Sequence, residues 1–496
     1  MVSNEQGRND YFGNSVVASS DHLFVRERDD GEIVFYQFDR LTGQSLDIIA
    51  LSDVTTGDYG WLQDAKSNLA LFGSGFSNSL YGKATLFDLE TSEVLLTINS
   101  PGAEARLFGV GRMALADSFI AISAYGDSGD GGAVYTFDYD TGEMIQKIVP
   151  DDLASGMEFG RQLIVDGDML LVSSVETETA YLFNGNTGEQ LAKYEAADVH
   201  AREFGFDLAM NDELVFVADR THSELAEYAG AVFVFDRLTG NFIEKIYTPD
   251  PTTNSRFGTG GLAIFGSTLF VGQPRDSNSN GNQAGAVHRF DIPTRQYRGR
   301  LIASDGVVGD QFGGSMAMYG NSLIVGAAFV DSEERSSGKA YAFNISTLVN
   351  PTEVSVTQGV PMSGSIESLA ESDGEDYSVS RNQSSLFSEV TMELSATSSS
   401  MNPGSMALAI EGSVFARGTV TQAIDIFDFE SQAWEQVSLG NATRFVDSRV
   451  QVQPAGNLAR FVGPDGLLRS RLRFQGSTRR MRFTSNLDQV EWIIIP

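Results

Sequence analysis

Short runs of alternating apolar and polar residues, broken by glycine, asparagine or aspartate, extend through the whole chain. Val, Ile, Phe and Tyr crowd these runs and helical spacing is absent, so the pattern predicts strands and tight turns. One phrase recurs: a small residue, alternating apolar residues, Phe, then Asp or Asn. It ends at Phe38-Asp39, Phe87-Asp88, Phe137-Asp138, Phe183-Asn184, Phe235-Asp236, Phe290-Asp291 and Phe343-Asn344, and successive copies stand 46 to 55 residues apart. A second phrase, an aromatic followed by glycine, precedes each copy: Phe12-Gly13, Tyr59-Gly60, Phe108-Gly109, Phe159-Gly160, Phe204-Gly205, Phe257-Gly258 and Phe312-Gly313. A third follows most copies: LTG at 41–43, DTG at 140–142, NTG at 186–188 and LTG at 238–240. Glycine's access to positive φ suits it to such a reversal.

Each unit therefore reads as four short strands. In the seventh, FGGSMAM, SLIVGAA and GKAYAF supply three; in the third, EMIQKI supplies a fourth after the turn. Four-stranded units of this length mark propeller blades. A lone blade cannot bury both faces, whereas a ring of blades buries them and leaves only short edges. Seven copies predict an all-β chain with a seven-bladed β-propeller over residues 8–350. A β-sandwich with accidentally similar strands is the alternative. Ring closure is open: either ISTLV (345–349) or the segment after Pro351 would complete the last blade.

The stretch LIASDGVVGDQFGGSMAMYGNSLIVGAAFVDS…GKAYAFN (301–344) resembles the FG-GAP repeat of the integrin-α propeller and its bacterial relatives. Val271-Gly272-Gln273-Pro274 and Val325-Gly326-Ala327-Ala328 are the best second halves of that motif, and units 1, 2 and 4 have lost it. The resemblance implies a propeller and, for some members, calcium held between the second and third strands by D-x-D/N-x-D/N-G-x-x-D. Alternating oxygens wrap the ion and glycine permits the sharp turn. Asp276, Asn278, Asn280 and Gly281 fit that pattern, with Ala284 where the family has a carboxylate. Asp127 and Asp130 form a shorter, poorer match. Ca²⁺ at these positions is one expectation, and a polar hairpin loop is the other.

After Pro351 the repeat stops. Residues 351–496 are rich in serine and lack lysine; their alternation in EVSVTQGV, SVFARGTV, AIDIFDF, RVQVQP, LARFVGP and LRSRLRF predicts about eight strands, arranged as a jelly-roll-like β-sandwich. SGSIESLAESDGEDYSV and LDQVEWIIIP are similar to a β-sandwich module at the C-terminus of bacterial secreted proteins. Between Arg460 and Arg482 lie seven arginines and a single acid, Asp465. Arg469, Arg471 and Arg473 share one face of a strand. A hairpin at Gly476 would return Arg480 and Arg482 beside them. Three partners suit this face: an anionic glycan, the acidic propeller of the same or a neighbouring chain, or local acids such as Glu430, Glu435 and Asp447.

Charge sharpens the picture. The chain of 496 residues has 34 basic and 66 acidic residues, a net charge of −32. Residues 351–496 carry −6 of it, which leaves −26 on the first 350. Such an excess argues against nucleic acid as partner. There is no cysteine, which removes disulfides, thiolate metal sites and cysteine nucleophiles, and His22, His200, His222 and His288 lie far apart. No apolar run is long enough to span a membrane as a helix. The opening decapeptide MVSNEQGRND lacks an apolar signal core, so either the protein stays inside the cell or a leader has been removed ahead of this chain. GDSG at 126–129 reads as a turn, and no nucleophile elbow, Walker loop or HExxH occurs. The expectation is a non-enzymatic, extracellular or cell-surface protein that binds a protein or glycan ligand. A structural subunit of a surface layer or filament, and a polysaccharide-acting enzyme, are the alternatives.

Overall fold

The computed structural model describes residues 11–19, 22–29, 32–40, 42–50, 59–76, 79–127, 131–196, 198–319, 322–330, 337–345, 347–369, 376–382, 388–398, 400–401, 403, 405–416, 418–445, 448–478 and 481–495. They form two compact units, 1–344 and 345–496.

The first unit is a β-propeller. Among the described residues it holds seven antiparallel sheets, six of four strands in chain order and a last one of three. The first strands of the sheets are Val16–Ala18, Tyr59–Lys66, Met113–Leu115, Gln162–Asp166, Phe204–Met210, Leu262–Phe265 and Ser315–Tyr319. Each packs against the next, and the last packs against the first, so these strands close a ring. The second and third strands are covered by neighbouring sheets on both faces, which is why Ile120–Ala124, Leu214–Asp219 and Ala133–Phe137 are buried throughout. The fourth strands, such as Met144–Ile148, are largely exposed.

The recurring phrases now have physical roles. The glycine opening a third strand adopts positive φ and lies against the backbone of the aromatic-glycine phrase of the following sheet. Gly132 bridges Phe159, Gly285 bridges Phe312, and Gly338 bridges Phe12 across the ring closure. A Cβ on any of these glycines would fall 2.1 Å from the phenylalanine carbonyl oxygen. The phenylalanine N–H in turn donates to the chain just before that glycine: Phe159 to Gly131, Phe312 to Ala284, Phe12 to Ser337. Each ring is itself fully buried and meets the third-strand aromatics edge-on, as Phe159 meets Tyr181 and Phe183. At the opposite end, the Asp or Asn after the recurring Phe caps its turn. Asp138 accepts from the N–H groups of Asp140 and Thr141, and Asp236 accepts from Thr239. Gly142 and Gly240 then take the positive φ that completes the reversal.

Ring closure differs from either route suggested by the sequence. Thr347–Val349, within ISTLV, pairs with Trp492–Ile494 of the second unit. Among the described residues the seventh sheet ends at Lys339–Asn344, and the joint is made by the Phe12–Gly338 clasp.

Among its described residues the second unit has two antiparallel sheets. One contains Thr347–Val349, Val360–Ser363, Tyr377–Ser380, Ser405–Ala416, Ser448–Val452 and Phe483–Ile495; the other runs Glu353–Gln358, Glu389–Thr397, Leu467–Gly476, Val420–Asp428, Ala433–Asn441. Alternate residues of both enter a single core, Leu408, Val414 and Trp492 from the first sheet with Met392, Ile424 and Leu472 from the second.

Candidate functional site

The first strands of the ring enclose a cavity of about 810 Å³, lined by residues of all seven sheets, from Asn14 to Met316. In each sheet this strand lines the ring, so polar residues on or beside it meet the cavity. Two carboxylates there tie adjacent sheets together. Asp64 accepts from its neighbour Ala65 and, at 2.8 Å, from the N–H of Leu115 on the third sheet. Asp207 accepts from Gln162 Nε2 of the fourth sheet and, at 2.6 Å, from the N–H of Leu262 on the sixth. Burial pushes the Asp64 carboxyl up to about 6, against the pull of its two N–H donors and Lys66. Burial also raises Asp207, opposed chiefly by the positive charge of Arg112.

Basic residues share this lining: Arg112, Arg161, Arg202 and Arg220. Arg220 pairs with Glu203 and lies 3.8 Å over the Phe206 ring. The guanidinium of Arg202 is 5.9 Å from the Tyr228 ring centre, and that of Arg161 is 5.1 Å from the Tyr125 ring centre.

A second set of clusters occurs near the aromatic-glycine end of the sheets. A third-strand aromatic or histidine stands opposite a fourth-strand cation: Tyr135 opposite Lys147, Tyr181 opposite Lys193, Phe233 opposite Lys245, His288 opposite Arg300. An acid completes each. Asp127 accepts from Lys147 at 2.8 Å and Asp152 from Lys193 at 2.8 Å. Asp198, His222 and Glu224 form a group of potential metal ligands. Lys245 occupies it, donating to Asp198 at 2.6 Å and also to Glu224. Burial alone would raise Asp198, but Lys245, the His200 N–H and His222 outweigh it and hold the carboxyl well below its ordinary range. The ammonium supplies the positive charge there, so the three side chains do not fit a metal without displacing it.

The sixth-sheet residues expected to hold calcium are engaged in a similar way. Asp276 is 5% exposed and receives Arg300 Nη1 at 2.9 and 3.1 Å, with His288 Nε2 at 3.2 Å. Asn278 donates to Asp276 and to the Gly285 carbonyl, both at 2.9 Å, while its own oxygen accepts the Asn280 N–H. Asn280 turns its amide to the Ala303 carbonyl at 2.6 Å. The three side chains fasten a hairpin to one another and to neighbouring backbone, and a guanidinium already neutralises the one carboxylate. This donor set does not fit Ca²⁺. Asp127 is likewise engaged by Lys147 and by the Tyr135 hydroxyl; Asp130 lies outside the described residues.

In the second unit Arg469, Arg471 and Arg473 do share a face of Leu467–Gly476, alternating with buried Ser470 and Leu472. Their partners are local acids, though not those named from sequence. Asp425 takes Arg471 Nε at 2.9 Å and Arg473 at 2.7 and 2.8 Å, and Glu393 takes Arg469 at 3.1 Å. Trp434 receives the guanidinium of Arg471 at 4.5 Å. Glu435 pairs instead with Arg460. The expected hairpin at Gly476 does not form: the neighbours of Leu467–Gly476 are Glu389–Thr397 and Val420–Asp428, while Phe483–Ile495 joins the other sheet. Arg482 is exposed and not beside the other three; Arg480 and Asp447 lie outside the described residues.

Sequence reasoning missed the channel residues Asp64, Arg112, Gln162 and Asp207. Their signal is a polar residue interrupting the first strand of a repeat, but it changes identity from one repeat to the next. The cation of each rim cluster does have a fixed signal, since it follows its third-strand partner by twelve residues in four successive repeats, from Tyr135–Lys147 to His288–Arg300.

Among solved structures the chain is similar to Hsv2 of Kluyveromyces lactis, with 11% identity over 66% of this chain and 97% of that one and a TM-score of 0.40. It is also similar to a europium-containing methanol dehydrogenase, with 12% identity over 63% of this chain and 72% of that one and a TM-score of 0.38. No curated protein matches the chain. Residues 297–343 match the model of the FG-GAP repeat, a span that starts in the fourth strand of the sixth sheet and ends in the third strand of the seventh, so the sequence repeat is offset from the sheets of the propeller that it builds.

Proposed function

We propose that the chain is a non-enzymatic binding protein of the extracellular or cell-surface kind. In this reading the seven sheets are the blades of one propeller, the second unit is a β-sandwich, and a protein or glycan ligand docks on the propeller around the mouth of its channel. The observation that carries it is the channel itself: a polar cavity of about 810 Å³, built by all seven sheets. That size is ordinary for a site taking a small ligand or the end of a larger one. Its two half-buried carboxylates are occupied by backbone and amide donors that join sheets, which suits a framework more than a reacting pair. The FG-GAP match agrees with surface exposure, and no described helix is long and apolar enough to cross a membrane.

An array of glycans and extracellular proteins probed with the full chain, coupled to a product assay on every capture, tests this reading. Capture without product supports it. Turnover of a captured glycan, lost in Asp64→Asn, would replace it with the polysaccharide-acting enzyme, the reading that the raised Asp64 carboxyl favours.

A further inference from the structure

The chain has nearly twice as many acids as bases, so an arginine without an acidic partner is unexpected. Yet Arg112, Arg202, Arg256 and Arg275 make no ion pair among the described residues. All four belong to one end of the ring, along with Arg161 and Arg220. Arg161 directly follows Phe159-Gly160, Arg202 precedes Phe204 by two residues, and Arg256 immediately precedes Phe257. Arg220 follows Asp219, which pairs with Phe204. Arg275 lies two residues beyond Gln273, which pairs with Ala286 beside the clasping Gly285. The carbonyl of Arg112 accepts from Ser123, whose hydroxyl donates to the Gly160 carbonyl. The guanidinium groups thus form an arc over the third to sixth sheets at the aromatic-glycine mouth.

Two further observations show that this arc is short of negative charge. Burial and the proximity of Arg256 and Arg220 depress the pKa of Arg275. Arg256 Nε is buried with no acceptor. Like charges held together and partly shielded from water, as at Arg220, Arg256 and Arg275, favour a counter-ion. The acids of the lining supply little of it: Glu203 serves Arg220, Asp64 and Asp207 are fixed to the backbone with only Arg112 acting on Asp207, and Glu176 is exposed to water. Guanidinium forks match carboxylates in geometry, and charges spread over four sheets match several carboxylates on one ligand rather than a single ion. A long polyanion would be repelled by the protein's overall charge of −32, which favours a short one able to enter the cavity. The amides and hydroxyls of Asn14, Gln63, Thr259 and Ser315 around the same cavity suit a hydroxyl-rich ligand.

From these observations we infer that the channel mouth binds an acidic oligosaccharide of the uronic-acid class through Arg112, Arg161, Arg202, Arg220, Arg256 and Arg275. The inference rests on the binding function proposed above and narrows it to one ligand chemistry.

Calorimetric titration of the full chain with a galacturonate trimer, the neutral galactose trimer and citrate tests it. The acidic trimer binds, with affinity falling about tenfold or more between about 50 mM and about 300 mM salt. Arg202→Ala and Arg275→Ala each weaken it roughly tenfold or more. Arg482→Ala, exposed in the second unit, changes nothing. Because Arg202 is exposed, its variant tests the site even if Arg275→Ala does not fold. Equal binding of the neutral trimer, equal binding of citrate, or indifference of the folded Arg202 variant would each overturn the inference. Capture of some other ligand, unaffected by both variants, ends this inference but leaves the binding function standing. Cleavage of the trimer ends the binding function while the arginine dependence is judged separately.

Discussion

Replacing Gly338 by alanine tests how the ring closes, with Gly43→Ala as its matched control. Both glycines have positive φ, +83° and +68°. Around Gly43 an added Cβ meets nothing within 4 Å, so Gly43→Ala costs only the strain of a non-glycine residue in that region, about 1–2 kcal/mol. At Gly338 the same Cβ would lie 2.1, 2.6 and 2.8 Å from the backbone O, N and C of Phe12. Backbone cannot rotate away as a flexible side chain can, so the Phe12 strand has to withdraw. Withdrawal breaks the 3.0 Å bond from the Phe12 N–H to the Ser337 carbonyl, about 1 kcal/mol. It also begins to uncover Phe12, whose full burial is worth about 1.5–3 kcal/mol. Together the loss is about 3–5 kcal/mol, some 2 kcal/mol or more beyond the control. Equilibrium urea unfolding followed by far-ultraviolet circular dichroism measures both. Equal losses within about 0.5 kcal/mol, a usual error of such differences, would refute closure through Phe12 and Gly338.

Asp64 makes the stability pH-dependent with a defined sign. Its carboxyl is raised to about 6 in the fold from an ordinary 3.8, so the folded chain takes up a proton that the unfolded chain releases between those values. The charged form is therefore destabilising above pH 6, the penalty amounts to about 3 kcal/mol, and it is relieved as the pH falls through 6. Relative to Asp64→Asn, the wild type gains stability between pH 7 and pH 4; parallel stability profiles contradict this. Asp425→Ala removes the shared partner of Arg471 and Arg473 and leaves two guanidinium groups side by side. The loss is about 2–4 kcal/mol in unfolding of the second unit, less than for a fully buried pair because both arginines partly reach water; a loss below about 0.5 kcal/mol shows that the acid does not hold the face together. Calcium added at constant ionic strength leaves the melting temperature unchanged, because Arg300 already neutralises Asp276, and calorimetric uptake that disappears in Asp276→Ala contradicts that expectation.

Repetition explains what was legible in the amino-acid order and what was not. The aromatic-glycine phrase, the small residue opening the third strand and the Asp-x-x-x-Gly turn serve the same contacts in most repeats, so each recurs and marks a joint. A motif borrowed from a single loop carries less. Asp276, Asn278 and Asn280 have the spacing of a cation loop, but the spacing says nothing of Arg300, which crosses from the fourth strand and takes the carboxylate. The arginine hairpin failed for a related reason. Placing Arg480 and Arg482 beside Arg471 would have stacked like charges, and it would have denied the core Leu487, Val490 and Trp492, which enter it from the opposite sheet.

The rim clusters fall between these cases. Their cation has a constant spacing, yet the acid comes from the loop between the second and third strands in Asp127 and Asp276, and from the segment that leads into the same sheet in Asp152 and Asp198. The channel carries this furthest. Its polar positions include Asn14, Asp64, Arg112, Gln162 and Asp207 in the first five sheets, which differ from one neighbour to the next although arginine recurs beside them at Arg161, Arg202 and Arg220. A ring forces equivalent positions to converge on one axis, where seven identical side chains would crowd and, if charged, repel. Variation is therefore what the geometry demands there. The same blade-to-blade likeness that exposes the fold in the sequence leaves the site to be found in the positions that break it.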